Sequence, residues 1–375
     1  MTNNFTNKLK NKLLTGISSY QISNTDKLRY CQKKDLVTMA KDKIIEMCSY
    51  LLNKLNFVRI NNFQLNTMNF AFANLIENID GLSWLYERLS DEKSRETLVE
   101  VIAFRILGNR HIRLSTNNSK YSDLIDTLTR KNTTNTRAQK FDVLDGWLGE
   151  YTISNNPKKI TLVAHKLNIL NTFLLEQYAY RNVLSCSVET EEGDIVLDGG
   201  GCFGDTALYF ADKTGANGEV HVFEFSPKNL NIMERNLDKN PHLKSIIKVN
   251  KNALWKNSDE KLNFSESGPG TSLLNSTFSK PFTANTISID DWAKINEIKK
   301  IDFIKLDIEG AEEACLLGSR HVIQTYKPKL AVALYHSLED FVKLPKLIDS
   351  YYPDYKFYLG HFTIHSEETI LFATK

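Results

Sequence analysis

Between positions 198 and 205 the chain reads Asp-Gly-Gly-Gly-Cys-Phe-Gly-Asp, directly after the apolar run Ile195-Val196-Leu197. Glycines at 199, 201 and 204 let a backbone turn sharply at a strand end and approach a bulky ligand closely. Glu224, 20 residues beyond Gly204 and just past the next apolar run, has the chemistry to hold ribose hydroxyls. Further along, Asp307 and Glu309 follow the run Ile301 to Leu306, and His336 follows Leu330 to Leu334. Two carboxylates at such spacing on an extended segment project to one side, and their mutual repulsion pushes one of them towards neutral titration. A histidine titrates there already, which makes His336 a candidate base. The plainer alternative is a strand, turn and helix with no ligand.

The glycine spacing alone fits a dinucleotide such as NAD as well as S-adenosylmethionine. Asp198 favours the methyl donor: its carboxylate could engage the ammonium of a methionine moiety, whereas a pyrophosphate at this helix N-terminus would be repelled. Asp205 points the same way unless it serves as the N-cap of the following helix. Phe225 and Ser226 could flank an adenine ring. Asn252 and Ala253 could hold its edge, or merely end a strand. Glu309 could instead cap the helix beginning near Ala311, and Lys305 could pair with Asp307 or Glu309. His361 and His365 would lie about 13 Å apart on a strand and cannot share a metal; no metal site is expected.

These residues need a scaffold, and the pattern after about residue 158 supplies one. Short apolar runs alternate with helical segments: strand Ile195–Leu197, a helix from about Asp205 to Lys213, strand Val220–Phe223, a helix from Pro227 to Leu237, and strand Ile246–Asn250. Strand Ile301–Leu306, a helix from Ala311 and strand Leu330–Leu334 follow. Such alternation predicts a parallel sheet covered on both faces. Lys356–Leu359 and Thr369–Phe372 are too close in sequence for a crossover helix and should pair as an antiparallel hairpin. That hairpin closes methyltransferase sheets and is foreign to dinucleotide domains. The fold expected is therefore α/β, a Rossmann-like methyltransferase sheet at 158–375 behind a mainly helical region at 1–150.

In that first region a helix is predicted over Glu92 to Leu107, capped by Asp91 and stopped by Gly108, with Leu98, Val101, Ile102 and Ile106 as its buried stripe. Leu51 to Ile79 is also periodic. Asn117 to Arg137 is polar and reads as a loop, weak helix or hinge. Tyr178 and Tyr180, placed on a helix before the first strand, are either core aromatics or groups that close over the donor. Ser267 to Ser272 forms a Gly/Pro loop, so Gly270, Thr271 and Ser272 are candidates for contact with an acceptor, or a surface turn.

The whole chain has 375 residues, 42% hydrophobic and 25% charged, with a formal net charge of +2. No global field attracts nucleic acid, and no base-flipping motif of the Asn/Asp-Pro-Pro-Tyr type occurs. No run reaches the roughly 20 apolar residues of a membrane span; Lys8 to Ile17 could at most lie on a membrane surface. Five scattered cysteines form no disulfide or CxxC pattern, and with no signal peptide the expected home is the cytoplasm. The triplet Asn132-Thr133-Thr134 then carries no glycosylation meaning.

Val196-Leu197-Asp198-Gly199-Gly200-Gly201-Cys202-Phe203-Gly204-Asp205-Thr206-Ala207 resembles the first motif of the FkbM family of S-adenosylmethionine-dependent methyltransferases. Phe303-Ile304-Lys305-Leu306-Asp307-Ile308-Glu309-Gly310-Ala311-Glu312 is similar to that family's second hallmark, and Pro328-Lys329-Leu330 leading to Tyr335-His336 to its fifth strand. The resemblance covers roughly residues 170 to 375. It implies donor contacts from Asp198, Gly199, Gly201, Gly204, Asp205, Glu224, Phe225, Ser226, Asn252, Ala253 and Asp307. Catalytic roles fall to Asp307, Glu309 and His336. It also implies O-methylation of a small-molecule or saccharide acceptor. The N-terminal region, which carries no family motif, would cover the cleft, select the acceptor or make a homodimer contact. The rival readings are an NAD-dependent oxidoreductase and a non-catalytic module that binds S-adenosylmethionine.

Overall fold

A computed structural model describes residues 4–19, 62–131, 148–154, 159–182, 186–264 and 282–375. The strands, in chain order, start with a hairpin of β1 (Gly149–Ile153) and β2 (Ile160–Ala164) and a short pair, β3 (Tyr180–Arg181) and β4 (Ser187–Val188). Then come β5 (Ile195–Gly199), β6 (Glu219–Phe223), β7 (Ile247–Asn250), β8 (Ala253–Leu254), β9 (Lys261–Phe264) and β10 (Phe282–Ile287). The chain finishes with β11 (Phe303–Leu306), β12 (Lys329–Ala333), β13 (Lys356–His361) and β14 (Thr369–Thr374). The main sheet has the order β13-β14-β12-β11-β5-β6-β7, and β8, β10 and β9 make a smaller one. From β12 to β7 every pairing is parallel; β14 runs antiparallel to β13, as the sequence predicts, and also to β12.

The central strands are apolar on both sides because both faces are covered. Leu197, Ile304, Leu330 and Val332 join one core with the helices Ile289–Ile295, Glu312–Leu317, Arg320–Tyr326 and Asp340–Tyr351. Val196, Phe303, Ala331 and Ala333, alternating with them, join the other with the helices Asp205–Thr214 and Pro227–Asp238. Leu82, Leu85, Leu98 and Ile102 of the N-terminal helices belong to the first of these cores.

The helix Glu92–Leu107 has the bounds expected: the Asp91 carboxylate accepts the Ser94 amide at 2.8 Å, and Gly108 takes a φ of 79° at the other end. Its burial is wider than one stripe, since Val99, Ala103, Phe104 and Leu107 are also buried. Its start grips the outer strand of the sheet: the amide of Ser90, just before the cap, donates to the Phe357 carbonyl at 2.8 Å, and the Leu359 amide to Ser94 Oγ in the first turn at 2.9 Å. Edge strand β13 is thereby protected.

Several expectations change. The 117–137 stretch contains a helix, Ser119–Lys131, that buries Tyr121 and Leu128. The β1–β2 hairpin straddles the boundary drawn between 150 and 158. Tyr178 lies in a turn and Tyr180 on β3, behind a π-helical stretch at Ile169–Leu174, so neither is helical. Lys8 to Ile17 belongs to the helix Asn4–Ser18, which buries Phe5, Leu9 and Leu13 within the protein. Cys31, Cys48, the 132–134 triplet, and Gly270, Thr271 and Ser272 lie outside the described residues. Among those described, no helix is long and apolar enough to cross a membrane.

Candidate active site

Strands β5 and β11 end side by side, with Leu306 opposite Gly199 and the Asp307 amide on the Gly199 carbonyl at 3.3 Å. The chain leaves β5 towards β6 on one side and β11 towards β12 on the other. This reversal is the switch point at which ligands bind in open parallel sheets.

The glycine loop folds back onto the sheet here. The amides of Gly200 and Gly201 both reach the Phe223 carbonyl, at 3.1 and 3.0 Å. Gly200 has a φ of +83°, and a Cβ there would overlap the Asp307 carbonyl oxygen. A Cβ at Gly201 would overlap the Val222 side chain. Glycine is therefore required at 200 as strictly as at any position of the spaced motif, a point the spacing rule misses.

The acids around the loop are turned inward. Asp198 is fully buried, paired with Lys305 Nζ at 3.1 Å and accepting the Thr206 hydroxyl at 2.6 Å. Its carboxylate, expected to face a ligand, is engaged inside the protein instead. Lys305, expected to pair with Asp307 or Glu309, also donates to the carbonyls of Gly199 and Gly200 at 2.9 and 2.7 Å. Burial opposes its charge, but Asp198 and then Asp307 outweigh that and raise its pKa. Asp205 is not the N-cap: Gly204, at a φ of 81°, holds that place, and Asp205 accepts Thr172 Oγ1 at 2.9 Å and Asn168 Nδ2 at 3.3 Å.

Glu224 lies at the end of β6 with its carboxylate accepting the amides of Phe225 and Ser226, at 2.8 and 2.7 Å, and Asn229 Nδ2 at 3.1 Å. Burial pushes it up to about 7 despite those donors. Ser226 caps the helix Pro227–Asp238, and Phe225 packs edge-on against Phe264 of β9, ring centroids 4.8 Å apart. Ala253 is buried on β8, with Asn252 half-buried before it.

The opposite wall is built from the turn after β11 and the end of β12. The strand stops at Leu306, and Glu309 and Gly310 have φ of 57° and 95°, so Asp307 and Glu309 meet through a turn and not along an extended segment. Ala311 takes the N-cap position, which removes the capping role considered for Glu309. His336 bridges three acids: Nε2 lies 3.6 Å from Asp307 Oδ1 and 3.2 Å from Glu312 Oε1, and Nδ1 lies 3.9 Å from Glu309 Oε2. Tyr178 and Tyr335 donate to the two Asp307 oxygens at 2.8 and 2.7 Å. Tyr180 is a core aromatic, stacked on Tyr358.

Charge follows from this crowding. Burial disfavours both ions, yet hydrogen bonding with His336 holds Asp307 down at about 2, and Asp307 and Glu312 lift His336 to about 11. His336 is thus an imidazolium at neutral pH and not a free base. Glu309 is pushed up to about 8 by burial and then by Asp307. Glu368, from the loop between β13 and β14, is likewise at about 8 through burial, Asp307 and Glu309. Glu312 and Glu368 were missed as site residues: Glu312 stood only inside a quoted motif, and Glu368 in what read as a polar connection.

Nearby, His361 bonds Thr369 at 2.8 Å while His365 lies in the loop beyond the strand, so the two do not stand along one strand. Asp307, Glu312 and His336, by contrast, bring one ligand atom each to within 4.8 Å of one another. Around the loop the Lys305 ammonium is already ion-paired. Among the described residues the wall of Asp307, Glu309 and Glu312 brings more carboxyl groups to the crevice than cations, which suits a ligand with cationic groups better than a pyrophosphate.

Residues 198–359 match the model of the methyltransferase FkbM domain. Among solved structures the chain is similar to the crystal structure of methyltransferase FkbM from Methylobacillus flagellatus KT, with 20% identity and a TM-score of 0.51 over 80% of this chain and 60% of that one. That likeness shows the fold, and the chain spans 60% of that neighbour's length. Aeropyrum pernix fibrillarin in complex with natively bound S-adenosyl-L-methionine matches at 11% identity and a TM-score of 0.34, over 64% of this chain and 98% of that one. Methanococcus jannaschii fibrillarin, a pre-rRNA processing protein, matches at 13% and 0.35, over 60% and 81%. No curated protein sequence matches the chain.

Proposed function

We propose, from the premise that residues 198–359 are a methyltransferase domain of the FkbM family, that the chain moves the methyl group of S-adenosylmethionine to a hydroxyl of a glycan, glycolipid precursor or specialised metabolite. The observation that carries this reading is the juxtaposition of the glycine loop with the Asp307–Glu309–His336 wall across the ends of β5 and β11.

Bound there, S-adenosylmethionine supplies an electrophilic methyl on sulfur, so the protein has mainly to align an acceptor and receive a proton. Gly199, Gly201 and Gly204 shape the floor under the methionine moiety, and Glu224 offers its remaining acceptor capacity to the ribose. Asp198 and Asp205 act from behind, holding the loop and its helix in place. Phe225, Ser226, Asn252 and Ala253 border the adenine side. On the acceptor side Glu309, whose ionisation falls near neutral pH, takes the proton-acceptor role first considered for His336. His336 and Asp307 orient it. Gly270, Thr271 and Ser272 keep their assignment to the acceptor, and the unpaired thiols of Cys186, Cys202 and Cys315 accord with a reducing cytoplasm.

The test is transfer of a radiolabelled methyl from S-adenosylmethionine into fractionated cell extract, comparing wild type with Asp307→Asn. Label in a saccharide or lipid-linked fraction with wild type alone is the expected result. Label in protein or nucleic acid would overturn the acceptor class, and absence of label in every fraction would overturn the activity.

A further inference from the structure

The acceptor wall contains a donor set that methyl transfer to a hydroxyl does not by itself require. Asp307, Glu312 and His336 come from three places: the turn after β11, the first turn of the next helix, and the end of β12. Their ligand atoms all lie within 4.8 Å of one another, with His336 Nε2 at 3.6 Å from Asp307 and 3.2 Å from Glu312. Ligands about 2.1 Å from one octahedral ion stand about 3 Å apart when adjacent. The two distances from His336 stand within about 0.6 Å of that spacing, and the triad must draw in from its 4.8 Å limit to meet it fully.

Each ligand is also held from behind, as metal ligands generally are. The two Asp307 oxygens receive the Tyr178 and Tyr335 hydroxyls, and Glu312 Oε1 receives the Ile308 amide at 2.7 Å. Further carboxyl groups stand around the triad. Glu309 stands 3.9 Å from the same imidazole, and Glu368, close enough to interact with Asp307 and Glu309, has a buried Oε2 with no hydrogen-bond partner. Lys305, the nearby ammonium, is committed to Asp198 and the loop carbonyls.

We propose that Asp307, Glu312 and His336 hold a divalent cation of the Mn2+ class on the acceptor side of the crevice. One imidazole with two carboxylates and no thiolate suits Mn2+, with Mg2+ a weaker occupant. His336 enters as neutral imidazole, the ion taking the place of its proton. Three protein ligands leave three octahedral positions, enough to chelate an acceptor through two adjacent oxygens, as in a vicinal diol or a hydroxy acid. The role in catalysis rests on the methyl-transfer reading; the site does not.

The experiment is therefore a titration of Mn2+ into the metal-free full chain, without donor or acceptor, followed by electron paramagnetic resonance. One saturable Mn2+ per chain is expected, weakened at least about 100-fold by His336→Ala and about 10-fold by Tyr335→Phe, which leaves all three ligands in place. Circular dichroism checks that both variants are folded. Absence of saturable binding in wild type overturns the proposal, as does binding that neither variant alters. Saturable, His336-dependent binding in a protein that transfers no methyl would support the site and overturn the activity instead.

Discussion

Both walls of the crevice are rich in carboxylates, and the chain treats them in opposite ways. On the loop side each buried acid has its own donors: Lys305 and Thr206 for Asp198, Thr172 and Asn168 for Asp205, two amides and Asn229 for Glu224. On the turn side Asp307, Glu309 and Glu312 crowd about the imidazole of His336, with Glu368 close behind. Glu309 and Glu368 moreover sit at φ of 57° and 60°, where non-glycine residues are strained. Buried charges matched to partners make a rigid support, whereas crowded like charges are costly until something cationic or a proton relieves them. One wall pairs most of its buried charge as it folds; the other leaves its acids crowded about one imidazole.

The largest effect that could break this contrast is on the complete wall. Lys305→Met leaves Asp198 buried without its counter-charge, and removing one partner of such a pair costs about 3–5 kcal/mol. Chemical denaturation reads this directly; a loss below about 1 kcal/mol would mean the loop is not held by the pair. Asp307→Asn should behave in reverse. It keeps the shape and both phenol contacts, so stability should fall less than in Lys305→Met, while kcat drops about 100- to 1,000-fold. Equal destabilisation with intact turnover would exchange the roles of the two walls.

How much of this was legible in the sequence differs between the walls as well. The sheet was readable because β5, β11 and β12 are buried on both faces and appear as short, mostly apolar runs, interrupted in β11 by Lys305. The glycine loop was readable because strand, turn and helix leave a local signature. Where Asp198 points was not, since its partner Lys305 lies 107 residues away and reaches it only through the parallel β5–β11 pairing. The turn at Glu309 was mistaken for extended chain because a left-handed glutamate has no sequence signal. The two-residue strands β3 and β4 and the β1–β2 hairpin were missed for a similar reason: their short runs carry too few periods to declare themselves.

A smaller effect sharpens the contrast by asking what supports the turn side. Arg105, on an N-terminal helix, donates from Nη1 to the carbonyls of Tyr335 and Ser366 at 3.0 and 3.1 Å, next to His336 and just before Glu368. Arg105→Met removes charged hydrogen bonds worth about 1.5–3 kcal/mol. The acceptor KM or kcat should shift about 10-fold while the affinity for S-adenosylhomocysteine stays unchanged. Equal losses on both ligands would mean that the helix supports the whole fold and not one wall.

The smallest expected effect is a pH slope, and the pH range over which each wall contributes separates the two. Glu309 and Glu368 are lifted from the ordinary 4.5 to about 8, so between those values the folded chain holds protons that the unfolded chain has lost. Their contribution is fully present below about pH 4.5 and is lost as pH rises through 8. His336, raised from 6.5 to about 11, adds a loss of the same sign above 6.5. Glu224, at about 7, adds a narrower one from the loop side. His361, held down at about 4 by burial, opposes this below pH 6.5, as do His165 and His221, also lowered by burial. Tm should therefore fall from pH 6.5 to 8.5 by a few degrees, at less than the roughly 2–4 °C per kcal/mol of smaller chains. Glu368→Gln, a neutral mimic of the protonated acid, should flatten the upper part of that slope, and Glu224→Gln only the part below pH 7. A Tm that rises with pH across this window, or a slope that Glu368→Gln leaves untouched, would show that the turn side is not under the electrostatic load assigned to it.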